Sequence, residues 1–160
     1  MKTVIVYYSM SGNTEQTARK IAEITGADLL RIEPVKEYPS TGMRKFLWGG
    51  KSAVMGEKPK LKPYRFEEGY DRVIFGTPVW ASNIAPPLRS FVKENEDMLE
   101  GKSFSAFVCC SGGGGEKALL RLKTLLKTDD FVSEMILIDP KDIPSEENDQ
   151  KIQAFCDNMK

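Results

Sequence analysis

The sequence predicts a doubly wound α/β domain, a parallel sheet with helices on both faces. Three observations predict it. Short apolar, β-branched runs alternate along the chain with stretches whose apolar residues recur every three or four positions. Repeated strand–helix units of this kind pair as a parallel sheet. The run Val73 to Gly76 is apolar throughout, as in a strand buried on both faces.

The elements follow in order. Val4 to Tyr8 is the first strand. A helix begins at Thr14, is expected to bury Ala18, Ile21, Ala22 and Ile24, and stops at Gly26. Leu29 to Ile32 is a short second strand. Residues 34 to 68 hold Pro34, Pro39, Pro59 and Pro63, with a helix-like piece from Met43 to Met55 broken by Gly49-Gly50. They read as a decorated crossover, and Trp48 within them is open between core, dimer surface and lid. The third strand continues from Tyr70-Asp71-Arg72 through Val73 to Gly76, and Thr77 to Ala85 is expected to be a loop. Pro86-Pro87 opens a helix, in the first turn where proline is tolerated, with Leu88, Phe91 and Val92 inward. Ser103 to Cys110 is the fourth strand, and a helix through Leu119, Leu122, Leu125 and Leu126 follows it. Val132 to Ile138 is the fifth strand. Ile152, Phe155, Cys156 and Met159 stripe a last helix, with Glu146, Glu147 and Asp149 at its positive end.

At 160 residues, without linker, repeat or low-complexity tract, residues 1–160 are expected to form one domain. Lys+Arg and Asp+Glu both number 23, so no global field favours nucleic acid or an anionic membrane. No apolar stretch has the length of a membrane span, and the start reads as a strand rather than a signal peptide, so the expected location is cytoplasmic. Of the three cysteines, Cys109 and Cys110 are adjacent at a strand end and point to opposite faces, which argues against a disulfide framework. They read as structural, with Cys110 near the proposed cleft. Histidine is absent. This removes the Ser-His and Cys-His couples and most transition-metal sites, so no metal centre is expected and the chemistry falls to a bound cofactor.

Three loops leave strands at the carboxyl edge, where ligands of such sheets sit. The first, Ser9-Met10-Ser11-Gly12-Asn13-Thr14, joins a strand to a helix N-terminus and gathers amides and four side-chain donors. It lacks the lysine of nucleotide-triphosphatase loops and the three glycines of dinucleotide loops. It suits one phosphate monoester held by neutral donors. A helix cap is the plainer alternative. The second loop, Thr77 to Asn83, offers Trp80 as an aromatic plate, with a core aromatic as the alternative. The third, Ser111-Gly112-Gly113-Gly114-Gly115, offers backbone donors and alone would read as a mobile turn. A flat heterocycle carrying a phosphate suits all three.

On Ser9 to Thr14, on Gly76-Thr77-Pro78-Val79-Trp80 with Ala85-Pro86-Pro87-Leu88, and on Cys110-Ser111-Gly112-Gly113-Gly114, the chain resembles the flavodoxin-like proteins, which bind flavin mononucleotide (FMN). The resemblance implies a five-stranded parallel sheet of order 2-1-3-4-5 in three αβα layers, in the short form with an unsplit fifth strand. It implies that Ser9, Ser11, Asn13 and Thr14, with the amides of Met10 to Thr14, hold the phosphate. Pro78, Val79, Trp80 and Ala81 would line the isoalloxazine, Trp80 stacking, and Ser111, Gly112, Gly113, Gly114 and Gly115 would meet the pyrimidine edge. The third loop lacks the second aromatic common in the family's electron carriers, which leaves one flavin face open to a nicotinamide or quinone. The neutral charge implies weak steering toward a protein partner. The stretch Trp80-Ala81-Ser82-Asn83 has no glycine to ease a peptide flip at the flavin. The resemblance covers an electron carrier working with a redox partner protein, an NAD(P)H-dependent oxidoreductase reducing a quinone or similar acceptor, and, less favoured, a flavin-free regulatory module.

Overall fold

The computed structural model describes residues 1–38 and 57–160. Its sheet is built from β1 (Thr3–Tyr7), β2 (Asp28–Arg31), β3 (Arg72–Trp80), β4 (Asn83–Ile84), β5 (Ser103–Cys110) and β6 (Glu134–Ile138). The helices are α1 (Asn13–Thr25), α2 (Pro86–Glu94), the short α3 (Glu96–Leu99), α4 (Gly115–Leu126) and α5 (Glu146–Asp157). The strand order is β2-β1-β3-β5-β6, all parallel, with β4 attached antiparallel to the end of β3. With the two-residue β4 set aside, this is the expected order 2-1-3-4-5.

Strand alternation sends neighbouring side chains to opposite layers. Val4 and Val6 join Val73, Phe75, Ala106 and Val108 beneath Leu88 and Phe91 of α2 and Leu119 and Leu122 of α4. Ile5 and Tyr7 join Ile74, Phe107 and Cys109 against Ala18 and Ile21 of α1 and Ile152, Phe155 and Cys156 of α5. Gly76 on β3 pairs with Phe107 on β5. A Cβ at Gly76 would overlap the Phe107 ring, so glycine there is a packing requirement. Gly26 caps α1 at φ 73°, and its N–H donates to the Ala22 carbonyl at 2.8 Å.

Several expectations change. Thr77 to Ala85 is not a loop: β3 runs on through Trp80, and the chain returns as β4 in a hairpin pairing Val79 with Ile84 and Trp80 with Asn83. Val79 and Trp80 favour extended backbone. The turn itself is Ala81-Ser82, at φ 50° and 60°, without the glycine or asparagine that normally marks such a turn. Ile24 is 42% exposed rather than buried, because the buried face of α1 is Thr14, Thr17, Ala18 and Ile21. Val132 is 44% exposed, since the β5–β6 ladder begins only at Glu134. Met159 is buried but lies beyond the end of α5. In the crossover, Pro34 bridges to the buried Leu61. The Met43–Met55 piece and Trp48 lie outside the described residues.

Candidate functional site

The carboxyl ends of β1, β3, β5 and β6 open on a cavity of about 280 Å3. Met10, Ser11 and Asn13 line it from the first loop; Pro78, Val79, Trp80 and Ala81 line it from the hairpin. Ser111, Gly112 and Gly113 line it from the glycine loop, with Cys109, Cys110 and Asp139 completing the wall. Residues from all three sequence-selected loops thus meet around one space. Ser9, Gly12, Thr14, Gly114 and Gly115 do not line it, and Ser9, Thr14 and Gly115 are buried.

The first loop turns at Gly12, φ 98°, which precedes α1 without any side-chain cap. The Ser9 hydroxyl accepts from the Glu15 amide at 3.2 Å. Arg31, at the end of β2, ties the same loop down. Its guanidinium donates to the Ser9 carbonyl at 3.0 Å, to Glu15 at 2.9 Å and to Glu33 at 3.1 Å. Arg19 and Arg31 together hold the Glu15 carboxyl below its usual range. Asn13 reaches both ways: its Nδ2 donates to Ser11 Oγ at 3.3 Å, and its Oδ1 accepts from the Lys141 amide at 2.9 Å. Lys141 Nζ in turn donates to the Ser11 carbonyl at 3.1 Å.

Lys141 is the residue that sequence reasoning missed. The loop contains no lysine of its own, and this one arrives from 130 positions away. The available signal was its place just after Pro140, beyond the carboxyl end of the last strand, on the edge where ligands gather.

At the hairpin, Thr77 Oγ1 donates to the Pro78 carbonyl at 2.8 Å and accepts from the Ala85 amide at 3.0 Å, which closes the base of the turn. Trp80 meets Tyr8 edge to face at 5.7 Å and Tyr38 at 5.2 Å. The indole is half-buried, so it both closes the core and faces the cavity. Burial raises the Tyr8 hydroxyl well above its ordinary pKa, keeping it neutral.

The glycine loop is exposed from Ser111 to Gly113. Ser111 Oγ donates to Asp139 at 3.1 Å, and Cys110 Sγ donates to the Gly112 carbonyl at 3.2 Å. Gly114, at φ 93°, precedes α4 and lies against the hairpin turn; a Cβ there would meet Ser82 Oγ at 2.8 Å. Burial pushes the Cys109 thiol up to about 12 and the Cys110 thiol up as well, so both stay protonated near neutrality. Among the described residues, no acidic, cysteine or histidine cluster could hold a metal ion, and no helix is long and apolar enough to cross a membrane.

A family model described as "Flavodoxin" matches residues 2–150. Among solved structures, the chain superposes on a protein provisionally named a flavoprotein from Bacteroides eggerthii, with TM-score 0.75 and 23% identity over 98% of this chain and 96% of that one. It superposes on a flavoprotein from Lactobacillus acidophilus, crystallised in complex with FMN, with TM-score 0.71 and 19% identity over 94% and 97% of the two chains. Oxidised flavodoxin 1 of Bacillus cereus gives TM-score 0.54 and 20% identity over 99% and 96%. At these identities the superpositions are likenesses of fold.

Proposed function

The chain belongs to the flavodoxin family, and from that premise we propose that it binds FMN at the carboxyl edge of the sheet and carries electrons through the flavin. The observation that carries this reading is the meeting of a strand–helix junction loop, a half-buried tryptophan and an exposed glycine strip around one cavity. The donor set fits the group. Ser11, Asn13 and the amides of Met10 to Thr14 take the phosphate, while Ser9 braces the loop through the Glu15 amide and the buried Thr14 side chain meets Cys109. Pro78, Val79, Trp80 and Ala81 lie along the ring, and the amides of Ser111 to Gly115 serve its polar edge. A cavity of about 280 Å3 lies just under the ~300–1,000 Å3 common for small-molecule sites. When bound, the flavin supplies the redox chemistry; the chain orients it and limits access to it.

The test is the colour of the purified protein and the identity of the flavin released on denaturation. FMN at one per chain supports the reading. A colourless chain that takes up no added FMN overturns it. A second reading, an NAD(P)H-dependent oxidoreductase acting on a quinone or similar acceptor, draws on the exposed, aromatic-free Ser111–Gly113 strip, which leaves a ring face approachable. Anaerobic mixing with NADH or NADPH separates the two. Rapid bleaching of the flavin selects the oxidoreductase, and a stable yellow colour selects the carrier.

A further inference from the structure

We propose that Lys141 is the counter-charge for the FMN phosphate, delivered from the loop between β6 and α5; the proposal rests on the first loop being the phosphate site. A phosphate monoester is close to a dianion at neutral pH, with a second pKa of about 6. The donors of the loop itself are amides, hydroxyls and a carboxamide, which solvate that charge without neutralising it.

Lys141 is built into the loop rather than lying near it by chance. Its backbone N–H is held by Asn13 Oδ1 at 2.9 Å, so the side chain starts from a fixed point. The stem then crosses Gly12: a Cβ on Gly12 would meet Lys141 Nζ at 3.1 Å and its Cδ at 3.3 Å. The missing side chain at Gly12 therefore makes room for the lysine as well as permitting φ 98°.

The ammonium is also available. One of its three protons goes to the Ser11 carbonyl at 3.1 Å. Among the described residues no carboxylate lies within 4.0 Å of it, whereas Lys20, Lys93, Lys123 and Lys160 are each paired with one. The nearby Asp139 carboxylate instead accepts from Ser111. Lysine serves phosphates as a point charge, so it acts at short range without a fixed bidentate geometry. The assignment also sets ligand choice: the charge favours FMN over riboflavin, which has the same ring and no phosphate.

The experiment compares FMN and riboflavin affinity of the full chain for wild type, Lys141→Gln and Lys141→Arg, at low and high salt, with a thermal melt to establish that each variant folds. The tie to Asn13 uses the main-chain N–H, so it survives both substitutions. Lys141→Gln should weaken FMN about tenfold at low salt, leave riboflavin unchanged and flatten the salt dependence of FMN binding. Lys141→Arg should retain FMN affinity within about threefold. Equal loss of both ligands would make Lys141 a packing residue and overturn the proposal, as would no loss of either. If wild type binds riboflavin as tightly as FMN, or neither, the phosphate-site reading itself falls, and that result is visible before any variant is made.

Discussion

The two ends of the cavity are built by opposite means. At the first loop, side chains from three separate segments lock the backbone: Arg31 from β2 holds the Ser9 carbonyl, Ser9 holds the Glu15 amide, and Lys141 holds the Ser11 carbonyl. At the glycine loop, Ser111 to Gly113 lie exposed, with the Ser111–Asp139 and Cys110–Gly112 hydrogen bonds as their side-chain ties. A Cβ at Gly112 or Gly113 would meet nothing within 4 Å. The difference teaches where a redox site needs rigidity. In the proposed binding mode the phosphate, which takes no part in the chemistry, sits in the fixed cradle, and the backbone proposed to lie beside the ring is left room to adjust.

The largest effect that can break this comparison comes from stripping donors at the fixed end. Ser11→Ala with Asn13→Ala should lower FMN affinity about a hundredfold, from two lost hydrogen bonds to a charged group, and leave riboflavin alone. Fluorescence titration of both ligands checks it, and parallel loss would place the phosphate elsewhere. Next comes Gly114→Ala, which forces a Cβ toward Ser82 at φ 93° and should cost about 2 kcal/mol, read as a lower Tm. Its neighbour Gly113→Ala, in open space, should move Tm by less than about 0.5 kcal/mol equivalent. If the two variants melt alike, the glycine loop is uniformly loose and the contrast within it disappears. Trp80→Ala should weaken FMN and riboflavin together, by about fivefold, because it removes ring contact rather than phosphate contact. The last variant is Ala81→Gly. It relieves a left-handed residue at φ 50° and should raise stability by about 0.5 kcal/mol in denaturant titration.

Much of this arrangement was legible in the sequence because it is local. The apolar runs of β1 and β5, the glycine after α1 and the Pro86-Pro87 start of α2 are each carried by a few adjacent residues. The hairpin was not, because Ala81-Ser82 adopts left-handed backbone without the residues that announce it, and tertiary contact with Gly114 takes the place of local preference. Exposure at Ile24 and Val132 was not legible either: an apolar residue in helical or strand spacing does not reveal where its neighbours end. Trp80 could be placed on the edge, but its packing on Tyr8 and Tyr38 depends on segments far from it in sequence. Lys141 escaped for the same reason, since nothing near Gly12 encodes a cation arriving from beyond β6.

That last contact has a consequence for the order of events during synthesis. Asn13 and the Lys141 amide are separated by 128 positions. The strand, turn and helix at the start of the chain leave the ribosome early, but the hydrogen bond that joins them to Lys141 waits until the edge strand β6 has emerged and docked on β5. A nascent chain therefore cannot complete this corner while it is still being extended through its middle. With Lys141 in its proposed role, tight uptake of a phosphorylated ligand requires this corner to have closed, and a chain stalled before residue 141 would lack it.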